Sequence, residues 1–64
     1  MTMLGEVHCT AGIWVAAFLD PRTRRFTCRG DDVSEHTMEA EAREWLHSEA
    51  QRRGQQLELR AEGK

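Results

Sequence analysis

The sequence predicts a single α+β domain, with a small antiparallel sheet of three to four strands in the order β-β-β-α-β and one helix packed on one face. Three observations carry this. Short apolar, β-branched runs fill the first half; strong helix formers at helical spacing fill the second; turn residues punctuate the joins. With 64 residues the chain sits near the lower limit for a self-sufficient core, so one domain, 1–64, is expected.

The first strand is expected at about 3–9. Thr10-Ala11-Gly12 would close a three-residue hairpin with Gly12 in the left-handed position. The second strand, about 13–20, is the apolar run Ile13-Trp14-Val15-Ala16-Ala17-Phe18-Leu19. That closure stacks Met3, Val7 and Cys9 beside Ile13, Val15, Ala17 and Leu19, whereas a slip of one residue would put Glu6 and His8 on the apolar side. Asp20-Pro21-Arg22-Thr23 is turn chemistry, and a third strand at about 25–30 would return with Phe26 facing Leu19 and Cys28 facing Ala17. A helix follows at about 34–53. Ser34 is its expected N-cap, Met38, Ala42, Trp45, Leu46 and Ala50 share one face, and Gly54 ends it after Arg52-Arg53. Gln56-Leu57-Glu58-Leu59-Arg60 alternates like a short edge strand at about 56–60, and Ala61 to Lys64 should fray.

One helix can cover one face only. The apolar choice is Met3, Val7, Cys9, Ile13, Val15, Ala17, Leu19, Phe26 and Cys28, which leaves Leu4, His8, Trp14, Phe18, Arg25 and Arg29 open. Trp14 and Phe18 would then stand roughly 13–14 Å apart on one strand, beside arginines. Trp, Phe and Arg are residue types enriched at binding hot spots, so this face reads as a protein interface, a homodimer seam or a stacking platform for bases. The competing arrangement is that the amino-terminal strand folds over these rings, or that the two faces are exchanged.

The net charge of −2 conceals a segregation. Arg22, Arg24, Arg25 and Arg29 crowd one turn region, while Asp31, Asp32, Glu35, Glu39, Glu41, Glu44 and Glu49 face only Arg43 among cations. The first cluster suits phosphates; the second suits a basic protein surface. Solvated charge is the ordinary fate of both. No apolar run approaches the ~20 residues that span a bilayer, and the amino terminus lacks a secretion pattern, so a cytoplasmic protein without a membrane partner is expected.

Catalysis finds little support. His36 and His47, eleven residues apart, would be separated by about 16 Å along a helix and could not share a metal. His8 and Cys9 are adjacent in a strand and point to opposite faces. Cys9 and Cys28 fall short of a zinc or disulfide framework and are expected as reduced, mostly buried thiols. No phosphate loop or nucleophile elbow is present. The expectation is a protein that is not an enzyme and needs no metal or cofactor.

Two resemblances extend this reading. Trp14, Asp20-Pro21, Arg24-Arg25 and Glu39-Ala40-Glu41-Ala42-Arg43-Glu44-Trp45-Leu46, within residues 13–46, resemble the Arm-type DNA-binding domain of tyrosine integrases. That likeness implies a sheet presented to DNA and backed by a helix, although this chain is acidic and adds a carboxy-terminal strand. By size and charge the chain is also similar to small phage-encoded inhibitor proteins of the anti-CRISPR type, which implies occlusion of a functional surface on a bacterial protein or nucleoprotein complex. The partner-binding residues expected are Trp14, Phe18, Arg25 and Arg29 on the open face, or Asp31, Asp32, Glu35, Glu39, Glu41 and Glu44. The alternative is a nucleic-acid-binding module on the same face, and a homodimer is compatible with either.

Overall fold

Ala11 and Gly12 both adopt positive φ (52° and 78°), the backbone that a two-residue turn needs to match the twist of the strands it joins. They link β1 (Thr2–Thr10) to β2 (Ile13–Leu19), and Thr10 pairs with Ile13. The computed structural model describes residues 2–27 and 29–60. The expected placement of Cys28 and the expected fraying of Ala61 to Lys64 lie outside the described residues.

The expected three-residue hairpin is thereby corrected by one residue, and the correction exchanges the faces of β2, while Met3 and Val7 stay on the covered side and Leu4 and His8 on the other as expected. Val7 stands opposite Ala16 and Gly5 opposite Phe18, and this side lies under the helix. Leu4, Glu6 and His8 lie opposite Leu19, Ala17 and Val15 on the other side. Ala11 carries a Cβ in left-handed backbone, a conformation that costs an L-residue roughly 1–2 kcal/mol. Ala11→Asn should therefore raise stability by about 1 kcal/mol, seen as a higher urea midpoint at unchanged slope.

Asp20 closes the next turn. Its Oδ1 accepts the Arg22 N–H at 2.8 Å, its carbonyl accepts the Arg24 N–H at 2.7 Å, and its own N–H donates to the Arg25 carbonyl at 2.8 Å. Phe26 then faces Leu19 as expected, but as an isolated bridge. The described residues of the third strand predicted at 25–30 form no strand beyond that bridge. After the 3-10 turn Gly30–Asp32, the chain returns as β3 (Val33–His36) along the outer side of β2, with Val33 opposite Ala17 and His36 opposite Trp14. Ser34 is consequently a strand residue facing Ala16, where the ladder claims its backbone, and not the helix N-cap.

The helix α1 spans Glu39–Arg52, with Met38 as its N-cap. Ala42, Leu46 and Ala50 are buried as their spacing predicted, and Trp45 is half-buried; Met38, expected with them, is exposed because the helix starts only after it. At the other end Gly54 takes φ 69°, and its N–H and that of Gln55 close onto the Gln51 and Ala50 carbonyls. β4 (Gln56–Leu59) then runs parallel to β1, giving the order β3-β2-β1-β4. The sheet is therefore mixed rather than wholly antiparallel. A chain that leaves β3, returns through a helix and re-enters the sheet resumes the direction of β3, which is also that of β1.

The core lies between this sheet and α1. Val7, Ala16 and Phe18 meet Ala42 and Leu46, and Met3, Trp14, Trp45, Leu57 and Leu59 close the margins. A Cβ added at Gly5 would come within 3.1–3.3 Å of Leu57 and Leu46 side-chain carbons. Leu46 thus occupies the space that Gly5 leaves over the sheet. No helix among the described residues is long and apolar enough to cross a membrane.

Candidate interaction surface

Turning β2 over changes which of its residues meet solvent. The side away from α1 carries Leu4, Glu6, His8 and Thr10 of β1, Ile13, Val15, Ala17 and Leu19 of β2, and Val33 and Glu35 of β3. The segment after β2 roofs one half of it. Phe26 bridges to Leu19, its ring lies 6.2 Å from the His8 ring, and Leu4, Ala17 and Leu19 are buried. Arg60 fastens this segment to the sheet, donating its Nη1–H to the Arg24 carbonyl at 3.3 Å and lying 3.7 Å from the Glu6 carboxylate.

Over the half towards the hairpin turn, no described residue forms such a roof. Ile13 and Val33 are each 39% exposed, with half-buried Val15 on the same side, and Phe26 is 45% exposed. Glu35 is exposed beside Val15, and Arg22, Arg24, Arg25 and Arg29 are exposed on the segment that carries Phe26. The surface therefore combines an apolar strip with polar groups of both signs at its margins, the composition of a binding patch with its rim.

The residues predicted to bind are divided by this arrangement. Trp14 and Phe18 are not on the open face. Phe18 is 1% exposed, 5.7 Å from the Trp45 ring and capped by the Arg53 guanidinium at 5.0 Å, and Trp14 is half-buried against the core. Trp14→Ala would therefore remove a side chain packed against the core. Arg25 and Arg29 are exposed as predicted, and Glu35 is exposed on the open side.

Asp32 leaves the acidic patch for a structural reason. It is buried, its Oδ1 accepts from Arg53 at 2.9 Å and its Oδ2 from the Thr27 hydroxyl at 2.7 Å. Burial pushes its carboxyl upward, but hydrogen bonds from Thr27 and Arg53 and the charges of Arg53 and Arg29 outweigh it, and the pKa falls below the ordinary value. Arg53 also donates to the Asp31 carbonyl at 3.0 Å, tying the start of β3 to the end of α1. Asp31 itself is exposed.

On the helix, Glu39 pairs with Arg43 at 2.9 Å, whereas Glu41 and Glu44 are exposed with no ion-pair partner among the described residues. Glu49, hydrogen-bonded by Arg52, is held below its ordinary pKa, and Arg52 is raised in return. The arginine-bearing segment lies against the open side of the sheet through Phe26, and these acids lie on the helix across the sheet from it.

Cys9, expected to be buried, is an exposed free thiol near the hairpin end of β1. Among the described residues no three of His, Cys, Asp and Glu come together in a metal-holding group. Ile13, Val15, Val33 and Phe26 are the surface residues that sequence reasoning assigned to the interior or left aside. The signal that could have found them is Ala11-Gly12 read as a two-residue closure.

Comparison of the chain with protein-family models, with curated proteins and with solved structures finds no match.

Proposed function

We propose that this chain is a non-enzymatic binding protein that occludes a functional surface of a bacterial protein or nucleoprotein complex, as a phage-encoded inhibitor of the anti-CRISPR type does, in the cytoplasm of its host cell. The observation that supports this reading is the unroofed strip of Ile13, Val15 and Val33 beside Phe26. A domain this small gains little from keeping such side chains in water, and their removal into a partner is favourable by roughly 25 cal/mol per Å². Arg25, Arg29 and Glu35 would form the rim, where charge selects and steers the partner more than it tightens the complex.

The exposed Arg22, Arg24, Arg25 and Arg29 favour a second reading, a nucleic-acid-binding module on the same side. One experiment separates the two. The tagged chain and an Ile13→Asp/Val33→Asp double variant are used to capture binding partners from bacterial lysate, before and after nuclease treatment and at raised salt. Both substituted side chains are already substantially exposed, so the variant should fold, with a thermal midpoint within a few degrees of the parent. The expected result is a discrete protein complex that survives nuclease and salt with the parent chain and is lost with the variant. Capture abolished by nuclease, or falling steeply with salt, would transfer the function to nucleic acid. Capture equal in parent and variant would remove the open strip from the contact.

A further inference from the structure

Among the described residues, β4 ends before its neighbour does. It pairs with Thr2–Gly5 of β1, and the Arg60 N–H reaches the Gly5 carbonyl at 2.7 Å, but β1 continues to Thr10. Because Thr10 closes the hairpin against Ile13, alternation turns the backbone of Thr10, His8 and Glu6 towards β2. The N–H and C=O groups of Val7 and Cys9 therefore point to the outer edge, where no described residue pairs with them. Edges of this kind are ordinarily blunted by lysine, proline or a bulge. Val7-His8-Cys9-Thr10 has no lysine or proline, and its pairing with β2 runs in unbroken register.

Beside this edge, under the start of α1, is a cavity of about 420 Å³. Val7, Cys9, Trp14 and Leu59 form its sheet side, and Arg43 and Arg60 line it as cations. Arg43 pairs with Glu39, itself part of the lining, and Arg60 donates through Nη1 to the Arg24 carbonyl at 3.3 Å and stands 3.7 Å from Glu6. A guanidinium carries five donor N–H groups, so both arginines keep donors for a further acceptor.

We propose that this notch receives an extended peptide segment of a partner protein as an added strand, with one apolar side chain in the cavity and a carboxylate held by Arg43 and Arg60. The outward ladder of Val7 and Cys9 asks for another extended backbone, which only a polypeptide supplies. The walls of Val7, Trp14 and Leu59 ask for an apolar side chain, and the two guanidinium groups for an acid. The notch lies at the margin of the sheet opposite β3, away from the Ile13–Val33 strip, so it stands or falls independently of the function proposed above.

The test uses the full chain under reducing conditions, with two measurements. In the first, amide exchange is followed by NMR at low concentration without peptide. Glu6, His8 and Thr10 should be protected by β2, while Val7 and Cys9 exchange at least tenfold faster. Protection of Val7 and Cys9 in the free chain would overturn the proposal. Protection independent of concentration would assign the edge to the chain's own remaining residues, and protection that grows with concentration to a second copy.

In the second, a random heptapeptide display library is selected on the chain. Enriched peptides should alternate apolar residues and carry Asp or Glu. Cys9→Pro, which removes one outward donor at an edge position that tolerates proline, should weaken their capture at least tenfold while preserving the thermal midpoint. Arg43→Gln should weaken acidic peptides at least threefold and leave their amide counterparts unchanged. Failure to enrich any peptide, or enriched peptides indifferent to both substitutions, would overturn the proposal.

Discussion

Leu46→Ala should cost about 2–5 kcal/mol, the range for truncating a fully buried leucine whose surroundings relax only in part. Leu46 is 0% exposed and fills the space above Gly5, in one cluster with Val7, Ala16, Phe18 and Ala42. Chains of this length command only roughly 3–10 kcal/mol in total, at about 0.05–0.15 kcal/mol per residue. The variant should accordingly lose much of its folded population at 25 °C, and the measurement is a urea titration followed by far-UV circular dichroism. Ile13→Ala is the companion experiment. At 39% exposure on the open side it should cost under about 1 kcal/mol. The contrast tests which face the helix covers, because the exchanged arrangement would bury Ile13 under α1 and make its truncation the costlier of the pair.

Asp32→Asn should cost about 2 kcal/mol near neutral pH, the scale of hydrogen bonds to a charged group. The carboxylate joins Thr27, Arg53 and, through the same guanidinium, the Asp31 carbonyl, so its loss loosens the join between the β3 entry and the helix end. Its effect should depend on pH in a definite direction. The folded-state pKa lies below the ordinary carboxylate value, so the unfolded chain takes up the proton first as pH falls. The stabilisation is fully present above about pH 5. It is lost as pH drops through the ordinary carboxylate range, near pH 4, towards the lower folded value. Parent and Asp32→Asn should therefore differ most at neutral pH and converge in acid, read as urea midpoints from pH 7 to pH 2. A difference constant across that range would show that the ion pair does not stabilise the fold. Glu49 is also held low by Arg52, but both groups are solvated and the pair should contribute little.

Much of this architecture was legible locally. The α+β class, the helix face of Ala42, Leu46 and Ala50, the stop at Gly54, the Asp20-Pro21 turn and the facing of Leu19 by Phe26 all rest on propensity, period and turn chemistry within a few residues of each other. The third strand was misplaced by several residues because Arg25-Phe26-Thr27 does begin a pairing with β2. Only the 3-10 turn at Gly30–Asp32, tied down by Arg53 from the far end of the helix, shows that the pairing is interrupted and resumed at Val33. The uncovered side carries an apolar strip beside exposed charges, with Ile13, Val15, Val33 and Phe26 where Trp14 and Phe18 were expected.

Composition and pattern by themselves determined that the chain makes one sheet and one helix, and that a single helix leaves one side of the sheet uncovered. They did not determine which side of β2 this is. Ile13-Trp14-Val15-Ala16-Ala17-Phe18-Leu19 is apolar on both faces, so it has none of the alternation that marks an inward side, and the alternation of Glu6 and His8 in β1 was left as the only guide. Tertiary packing kept Glu6 and His8 on the uncovered side and turned Ile13, Val15, Ala17 and Leu19 there with them. Closing the hairpin on two residues strains Ala11, but it places Phe18 and Ala16 under α1 and sets Phe18 opposite Gly5, where an added Cβ would crowd the Leu46 and Leu57 side chains. A local strain of roughly 1–2 kcal/mol is smaller than the burial of one phenylalanine and one leucine, at about 1.5–3 kcal/mol each, and that inequality exists only once the helix is in place.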